Sequence, residues 1–148
     1  MNKILVALDG SPRAPLVLTK AVETARAAGA RLVLIRAVGL PAEIPQNFWQ
    51  STDESLLELL ERHAKAYLAQ CEELVPEETR GGQMVVVSSP WQGICETASS
   101  LRVDLVIIGS HGYSGVDRLL GTTAAKVVNH APCSVLVVRD TQADGAPS

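Results

Sequence analysis

The residues best suited to bind a ligand lie in the stretch GSHGYSGVDRLLGTT, which runs from Gly109 to Thr123. It follows the apolar run VDLVIIG, which predicts a buried strand. Gly109 and Gly112 bracket Ser110 and His111. Glycines allow backbone N–H groups to approach an anion closely, so this part of the stretch favours binding of a charged group.

The same stretch ends on Gly121, Thr122 and Thr123, which begin a predicted helix. A helix N-terminus presents unpaired N–H donors and a partial positive charge, and threonine hydroxyls can donate to phosphate oxygens. Together these features predict a site for a phosphorylated ligand. The alternative is a plain turn, in which Gly109 ends a strand and Thr122 caps a helix.

A second candidate segment is DGS, which follows the first predicted strand, KILVAL, and begins with Asp9. In an open doubly wound sheet, ligands bind beyond the carboxyl ends of the strands, so Asp9 is predicted to face the same crevice as Gly109. The alternative role for Asp9 is to cap the first helix, which requires no ligand.

The sequence lacks the motifs that are typical of several enzyme classes. The sequence contains neither G-x-x-x-x-G-K-[ST] nor G-x-G-x-x-G after its first strand. His111 has no evident nucleophile and no group to orient it, so no catalytic set is predicted. No dense carboxylate cluster is present either, so Mg²⁺ or Mn²⁺ would be held mainly through ligand phosphates.

Composition is typical of a globular domain in a reducing compartment. The chain has 148 residues, a formal net charge of −3 and 3% aromatic residues, which disfavours a nucleic-acid binder. Its three cysteines are widely spaced and predicted to be free thiols. The sequence shows no signal peptide and no apolar run long enough to span a bilayer, so a cytoplasmic location is expected.

Strands and helices alternate along the chain. Apolar runs predict strands over 3–8, 31–38, 83–89, 103–110 and 133–139, and helical spacing predicts helices over 11–29, 52–74, 90–102 and 122–131. This order predicts a single α/β domain over 1–140, with a parallel sheet covered on both faces and a polar tail over 141–148. Residues 39–50 are predicted as a loop, whose Phe48 and Trp49 would form a lid, form an interface or plug the edge of the core.

These segments together resemble the universal stress protein family. The likeness rests on KILVALDGS, DLVIIGSHGYSG and LLGTTAAKVVNHAPCSVLVVR, and it covers about Met1 to Arg139. The resemblance implies a Rossmann-like, doubly wound α/β domain of the adenine nucleotide alpha hydrolase-like type. Its five-stranded parallel sheet would have the strand order 3-2-1-4-5. The resemblance also implies a homodimer and, in a subset of members, ATP binding.

The ATP-binding subset carries the pattern G-x2-G-x9-G-[S/T], which the resemblance aligns with Gly109, Gly112, Gly121 and Thr122. The positions implied to line the nucleotide site are Ala7, Leu8, Asp9, Ala37, Val38, Ile108, Gly109, Ser110, His111, Gly112, Gly121, Thr122 and Thr123. One departure concerns the spacing, because eight residues rather than nine separate Gly112 from Gly121. Either the shorter loop withdraws the helix from the phosphates, or Gly115 absorbs the difference.

The function expected from this resemblance is that of a homodimeric stress-response or signalling module that binds ATP or a related adenine nucleotide. The dimer would form through the last strand, Ser134 to Arg139, since an apolar edge strand favours pairing. Two alternatives stay open: a dimeric adaptor that binds no nucleotide, and, less favoured, a slow ATPase.

Overall fold

The computed structural model describes residues 1–39, 46–110 and 120–140, with the backbone alone for 46–55. Within these residues the strands and helices alternate in the predicted order. The elements are β1 (Lys3–Ala7), α1 (Ala14–Ala28), β2 (Arg31–Val38), α2 (Gln46–Glu73), a 3₁₀ turn (Glu77–Thr79), β3 (Arg80–Val87), α3 (Pro90–Leu101), β4 (Leu105–Gly109), α4 (Thr122–His130) and β5 (Ser134–Val138).

The strands form one parallel sheet in the order β3-β2-β1-β4-β5, which confirms the expected α/β fold and strand order. β1 lies at the centre, and its Ile4, Leu5 and Val6 are fully buried. Side chains alternate between the two faces of a strand, so each face of the sheet has its own core. Ile4 and Val6 pack in a cluster with α1 and α2, whereas Leu5 packs with α3 and α4. The parallel strands therefore all end at one edge, beneath the loops that carry the predicted site.

The first helix begins later than the sequence indicated. The sequence predicts a helix over 11–29, but the cap residue is Arg13 and the helix begins at Ala14. Local hydrogen bonds explain the shift. The Asp9 carboxylate accepts the N–H of Ser11 at 2.9 Å, and the Ser11 hydroxyl accepts the N–H of Arg13 at 3.3 Å. These side-chain-to-backbone bonds hold residues 9–13 in a turn that competes with helix.

The second helix begins earlier than the sequence indicated. The predicted loop over 39–50 is wrong in its second half, because α2 begins at Gln46 and includes the backbone of Phe48 and Trp49. The roles suggested for those two aromatic side chains lie outside the described residues, as does the polar tail over 141–148. Over the described ranges, no helix combines the length and apolarity that a membrane span requires.

Asp104 fastens the amino-terminal edge of the sheet, opposite the predicted site. Its carboxylate accepts the backbone N–H groups of Asn2 at 2.7 Å and Lys3 at 3.1 Å. Its own N–H donates to the carbonyl of Lys3 at 2.8 Å. The two hydrogen bonds to the carboxylate stabilise its charged form and lower the pKa of Asp104.

We expect Asp104 to contribute stability that depends on pH. Since its folded pKa lies below the unfolded value of about 3.9, the contribution is present above that pH and is lost as the pH falls through the folded pKa. The difference in unfolding free energy between wild type and Asp104→Asn should therefore shrink below about pH 4. Urea titrations at pH 7, 4 and 3 would measure it, with the exposed Glu23→Gln as control. A difference that stays constant over this range would contradict the assignment.

Candidate functional site

A cavity of about 630 Å³ lies at the carboxyl edge of the sheet, which is a volume typical of small-molecule sites. Its walls come from the ends of β1, β2, β4 and β5, the turn after β1 and the beginnings of α1, α3 and α4. The lining residues are Ala7, Leu8, Asp9, Gly10, Ser11, Pro12, Arg13, Ala14, Leu16, Val17, Ile35, Arg36, Ala37, Pro90, Ile94, Ile108, Gly109, Ser110, Gly121, Thr122, Thr123, Ala124, Val138 and Asp140.

The structure brings most of the sequence-predicted site residues together around this cavity. Those in its lining are Ala7, Leu8, Asp9, Ala37, Ile108, Gly109, Ser110, Gly121, Thr122 and Thr123. Val38 is buried and does not belong to the lining. His111 and Gly112 lie outside the described residues, as does the shortened segment between Gly112 and Leu120.

Ser110 joins three elements at the centre of the cavity. Its N–H donates to the carbonyl of Val138 at 2.9 Å, and its carbonyl accepts the N–H of Gly121 at 2.8 Å. The first bond ties the end of β4 to the end of β5, and the second fixes the residue that precedes α4. The N-terminus of α4 is thereby held against the carboxyl edge of the sheet.

The Ser110 side chain is buried but has no hydrogen-bond partner. The residue is only 1% exposed. Ser110 belongs to the cavity lining, but its Oγ has no hydrogen-bond partner. An unpaired buried hydroxyl costs free energy, because it gives up its hydrogen bonds to water on folding. The cavity wall therefore contains a residue whose hydroxyl is unsatisfied in the absence of a ligand.

Arg36 is a cavity residue that the sequence interpretation missed. Its guanidinium lies 5.1 Å from the ring centre of Tyr67, in a cation–π contact, and beside the turn at Gly10. Its Nε and Nη1 are buried and lack hydrogen-bond partners. The pKa of Tyr67 is raised, mainly by burial and secondly by a hydrogen bond with Cys71. The phenol beside Arg36 is therefore neutral. The available signal was a charged residue inside the buried run RLVLIRAV.

Arg13 is a second cavity residue that was missed, because a charged residue at the start of a helix resembles ordinary surface. Its Nε lies 3.8 Å from Oδ2 of Asp140, which follows β5. That distance exceeds hydrogen-bond length, and the buried Nε has no hydrogen-bond partner. The ion pair joins the start of α1 to the segment after β5 in the cavity wall.

The unpaired polar groups share one location. Across the described residues, every buried side-chain nitrogen or oxygen without a hydrogen-bond partner belongs to a residue of this cavity, namely Arg13, Arg36 and Ser110. No group of three or more His, Cys, Asp or Glu side chains in the described ranges could hold a metal ion. The arrangement is suited to bind a ligand rich in hydrogen-bond acceptors, and guanidinium groups favour anions.

Comparison with known proteins places this geometry in a family. The model of the universal stress protein family matches residues 1–139. The chain belongs to the universal stress protein family. It is 32% identical over 138 residues to universal stress protein A homolog 1 of Coxiella burnetii, covering 91% of this chain and 94% of that protein. It is 35% identical over 140 residues to a universal stress protein of Thermus aquaticus, covering 92% and 97%.

Solved structures of this family share the fold. The universal stress protein UspA of Lactobacillus plantarum superposes with a TM-score of 0.79 at 28% identity, covering 93% of this chain and 97% of that one. Two further universal stress protein structures, one in complex with cAMP and one from Archaeoglobus fulgidus in complex with dAMP, have TM-scores of 0.61 and 0.64. Each is 22% identical to this chain, a likeness that concerns the fold alone.

Substitution of Gly10 would test the packing of Arg36 in this universal stress protein. Gly10 and Gly29 both have positive φ, +75° and +64°, but a Cβ at Gly10 would collide with the Arg36 guanidinium, whereas a Cβ at Gly29 would meet nothing within 4 Å. We expect Gly29→Ala to lower the free energy of unfolding by about 1 kcal/mol through backbone strain. Gly10→Ala should lower it by about 2 kcal/mol, since overpacking adds to that strain.

Urea unfolding would measure both variants in the wild-type background and in an Arg36→Ala background. Removal of the guanidinium should reduce the cost of Gly10→Ala to that of Gly29→Ala. Equal losses at the two glycines in the wild-type background would show that Arg36 does not pack against the turn.

Proposed function

We propose that this chain binds an adenine nucleotide, ATP or a close relative, in the cavity at the carboxyl edge of its sheet, and acts as a stress-response or signalling module. One observation carries the proposal: the unpaired buried atoms Arg13 Nε, Arg36 Nε, Arg36 Nη1 and Ser110 Oγ all belong to residues of this cavity. Each such group costs about 1–3 kcal/mol when it stays unsatisfied. A ligand that supplies acceptors would recover part of that cost.

The N-terminus of α4 supports the position of the phosphates. The N–H of Gly121 is already bonded to Ser110, and the N–H of Ala125 makes the first bond within the helix, to Gly121 at 2.9 Å. The N–H groups of residues 122–124 lie between these two bonded groups and have no acceptor within the helix. Among the described residues no side chain caps this helix end, which supports the availability of these donors and of the partial positive charge to a phosphate.

The other end of the cavity supports the position of the base. Ala7, Leu8, Ala37 and Ile108 supply apolar surface at the ends of neighbouring strands, which suits the faces of a purine ring. Asp9 and Arg36 add an acceptor and a donor beside it, where the edge of a base or a ribose hydroxyl could pair. The related structures solved with cAMP and with dAMP are consistent with an adenine nucleotide in this fold.

A divalent cation would enter this site with the nucleotide. Among the described residues of the cavity lining, the Asp9 carboxylate could contribute to holding the cation, because Mg²⁺ usually takes one or two carboxylates together with substrate phosphates. In this proposal Mg²⁺ or Mn²⁺ neutralises part of the phosphate charge and keeps most of its remaining ligands as water.

Ser110→Ala gives the sharpest test of nucleotide binding, because it should move stability and affinity in opposite directions. Removal of an unpaired buried hydroxyl should leave the free energy of unfolding unchanged or raise it slightly. Loss of a hydrogen bond to the ligand should weaken binding of ATP about fivefold to tenfold, corresponding to about 1 kcal/mol. Calorimetric titration of nucleotide-stripped protein with ATP and Mg²⁺, beside urea unfolding, would measure both quantities.

Ser100→Ala, at an exposed position on α3, is the matched control and should change neither quantity. Wild-type protein that binds none of ATP, ADP, AMP and cAMP would refute the proposed function and favour a nucleotide-free adaptor. Unchanged ATP affinity in Ser110→Ala would remove this hydroxyl from the site.

We also propose that the chain forms a homodimer through β5. The two edges of the sheet differ. β3 has a register irregularity opposite Leu32 and Leu34, whereas β5 pairs with β4 without interruption from Ser134 to Val138. Irregular edges discourage strand pairing, and regular apolar ones favour it. Val135, Leu136 and Val137 are only partly buried within one chain, as an edge that a second copy covers would be.

A charge placed on β5 should break this dimer. We expect Val135→Lys to halve the mass measured by light scattering at micromolar concentration, because a lysine on a covered edge must be desolvated. Val87→Lys, on the opposite edge strand β3, should leave the mass unchanged. Far-UV circular dichroism would establish that both variants are folded. A monomeric wild type, or equal effects of the two substitutions, would contradict pairing through β5.

A further inference from the structure

We propose that Arg13 binds the phosphates beyond the first, so that this site prefers nucleotides with longer phosphate chains. In this view the second or third phosphate displaces Asp140 from the Arg13 guanidinium. The inference rests on the proposed nucleotide function. Arg13 would determine the selectivity of the site. The chemical feature that it selects is the number of phosphates rather than the base.

Hydrogen bonds and one ion pair locate Arg13 near the start of α4. Gly121, which precedes this helix, donates to the carbonyl of Ser110 at 2.8 Å, and Ser110 donates to the carbonyl of Val138 at 2.9 Å. Asp140 follows Val138 by two residues and approaches Arg13 Nε at 3.8 Å. Arg13, Asp140, Thr122 and Thr123 also line the same cavity. Arg13 therefore belongs to the end of the cavity where unpaired helix N–H groups lie.

The other cavity arginine is carried by a strand farther from β5 than the turn that carries Arg13. Arg36 is on β2, and the sheet order places β1 and β4 between β2 and β5. Neighbouring strands are about 4.8 Å apart, so β2 and β5 are separated by roughly 14 Å. Arg36 consequently extends from the end of the cavity at β1 and β2, whereas Arg13 is the arginine of the lining that contacts the segment after β5, through Asp140.

The present contacts of Arg13 leave it able to accept a phosphate. Its Nε is buried without a hydrogen-bond partner, and its contact with Asp140 is longer than a hydrogen bond. A terminal phosphate carries nearly two negative charges, against one for a carboxylate, and it can pair with a guanidinium through two N–H groups. The side chain is 35% exposed, so it can adjust toward a ligand without opening the core.

The first phosphate has donors of its own in the backbone N–H groups of residues 122–124. Each further phosphate adds negative charge that those dipoles do not neutralise, and among the described residues of the lining Arg13 is the cation at this end of the cavity. The affinity for a nucleoside monophosphate should therefore depend little on Arg13, and the affinity for a triphosphate should depend on it strongly. The carboxylate of Asp140 competes with the added phosphates for the same guanidinium.

The test is calorimetric titration of the full chain with AMP, ADP and ATP, each with Mg²⁺, for wild type, Arg13→Gln and Asp140→Asn. We expect Arg13→Gln to weaken ATP binding about tenfold, as loss of a charge-assisted hydrogen bond would, and to change AMP binding by less than about twofold. Asp140→Asn should strengthen ATP binding more than AMP binding. Because it leaves Arg13 in place, it tests the inference even where Arg13→Gln is unstable.

Arg26→Gln is the matched control. Arg26 is also on α1 and also lies 3.8 Å from a carboxylate, that of Glu78, but this pair is on the exposed surface away from the cavity. It should change no affinity. Equal weakening of AMP and ATP by Arg13→Gln, or no weakening of either, would overturn the role of Arg13 while nucleotide binding stands. Wild type that binds none of the three nucleotides would refute the proposed function, and this inference with it.

Discussion

Two backbone hydrogen bonds at Ser110 hold the cavity together. One ties the end of β4 to β5 through Val138, and the other places Gly121 and α4 against the sheet. The walls at this end come from segments far apart in the chain, and without these bonds the N–H groups of α4 would have no fixed position. Preorganised donors bind an anion without a cost for ordering them, which is why this junction governs what the cavity can hold.

The core and the cavity satisfy opposite physical requirements. On both faces of the sheet, buried positions are filled by apolar side chains such as Leu5, Ile35 and Val127, which leave no polar group unpaired. At the carboxyl edge, one nitrogen of Arg13, two nitrogens of Arg36 and the hydroxyl of Ser110 are buried without hydrogen-bond partners. A protein that optimised stability alone would pair or remove such groups. Their concentration in one place is the observation that supports the proposed binding site.

Much of the fold followed from the sequence because its strands are uninterrupted apolar runs. β2 spans Arg31–Val38 as predicted, and Gly29 ends α1 with φ of +64°. Periodicity failed where local hydrogen bonds decide the structure, as at Ser11, which belongs to a turn rather than to a helix cap. The cavity residues that were predicted are glycines, hydroxyls and strand ends. Arg13 was missed because a charged residue at the start of a helix resembles ordinary surface. Arg36 was missed because its charge inside a buried run was the one local signal, and its contact with Tyr67 joins residues distant in sequence.

The parallel sheet also gives the two chain ends unequal surroundings. β1 begins at the edge opposite the cavity and runs five residues, about 16 Å, before it reaches the turn at Asp9. An affinity tag or a second domain joined ahead of the exposed Met1 would thus emerge away from the cavity mouth. A fusion placed directly after Asp140 would emerge beside Arg13, within the cavity wall. Protein engineering of this fold can therefore use a junction ahead of Met1 freely, whereas a junction at Asp140 would lie in the cavity wall.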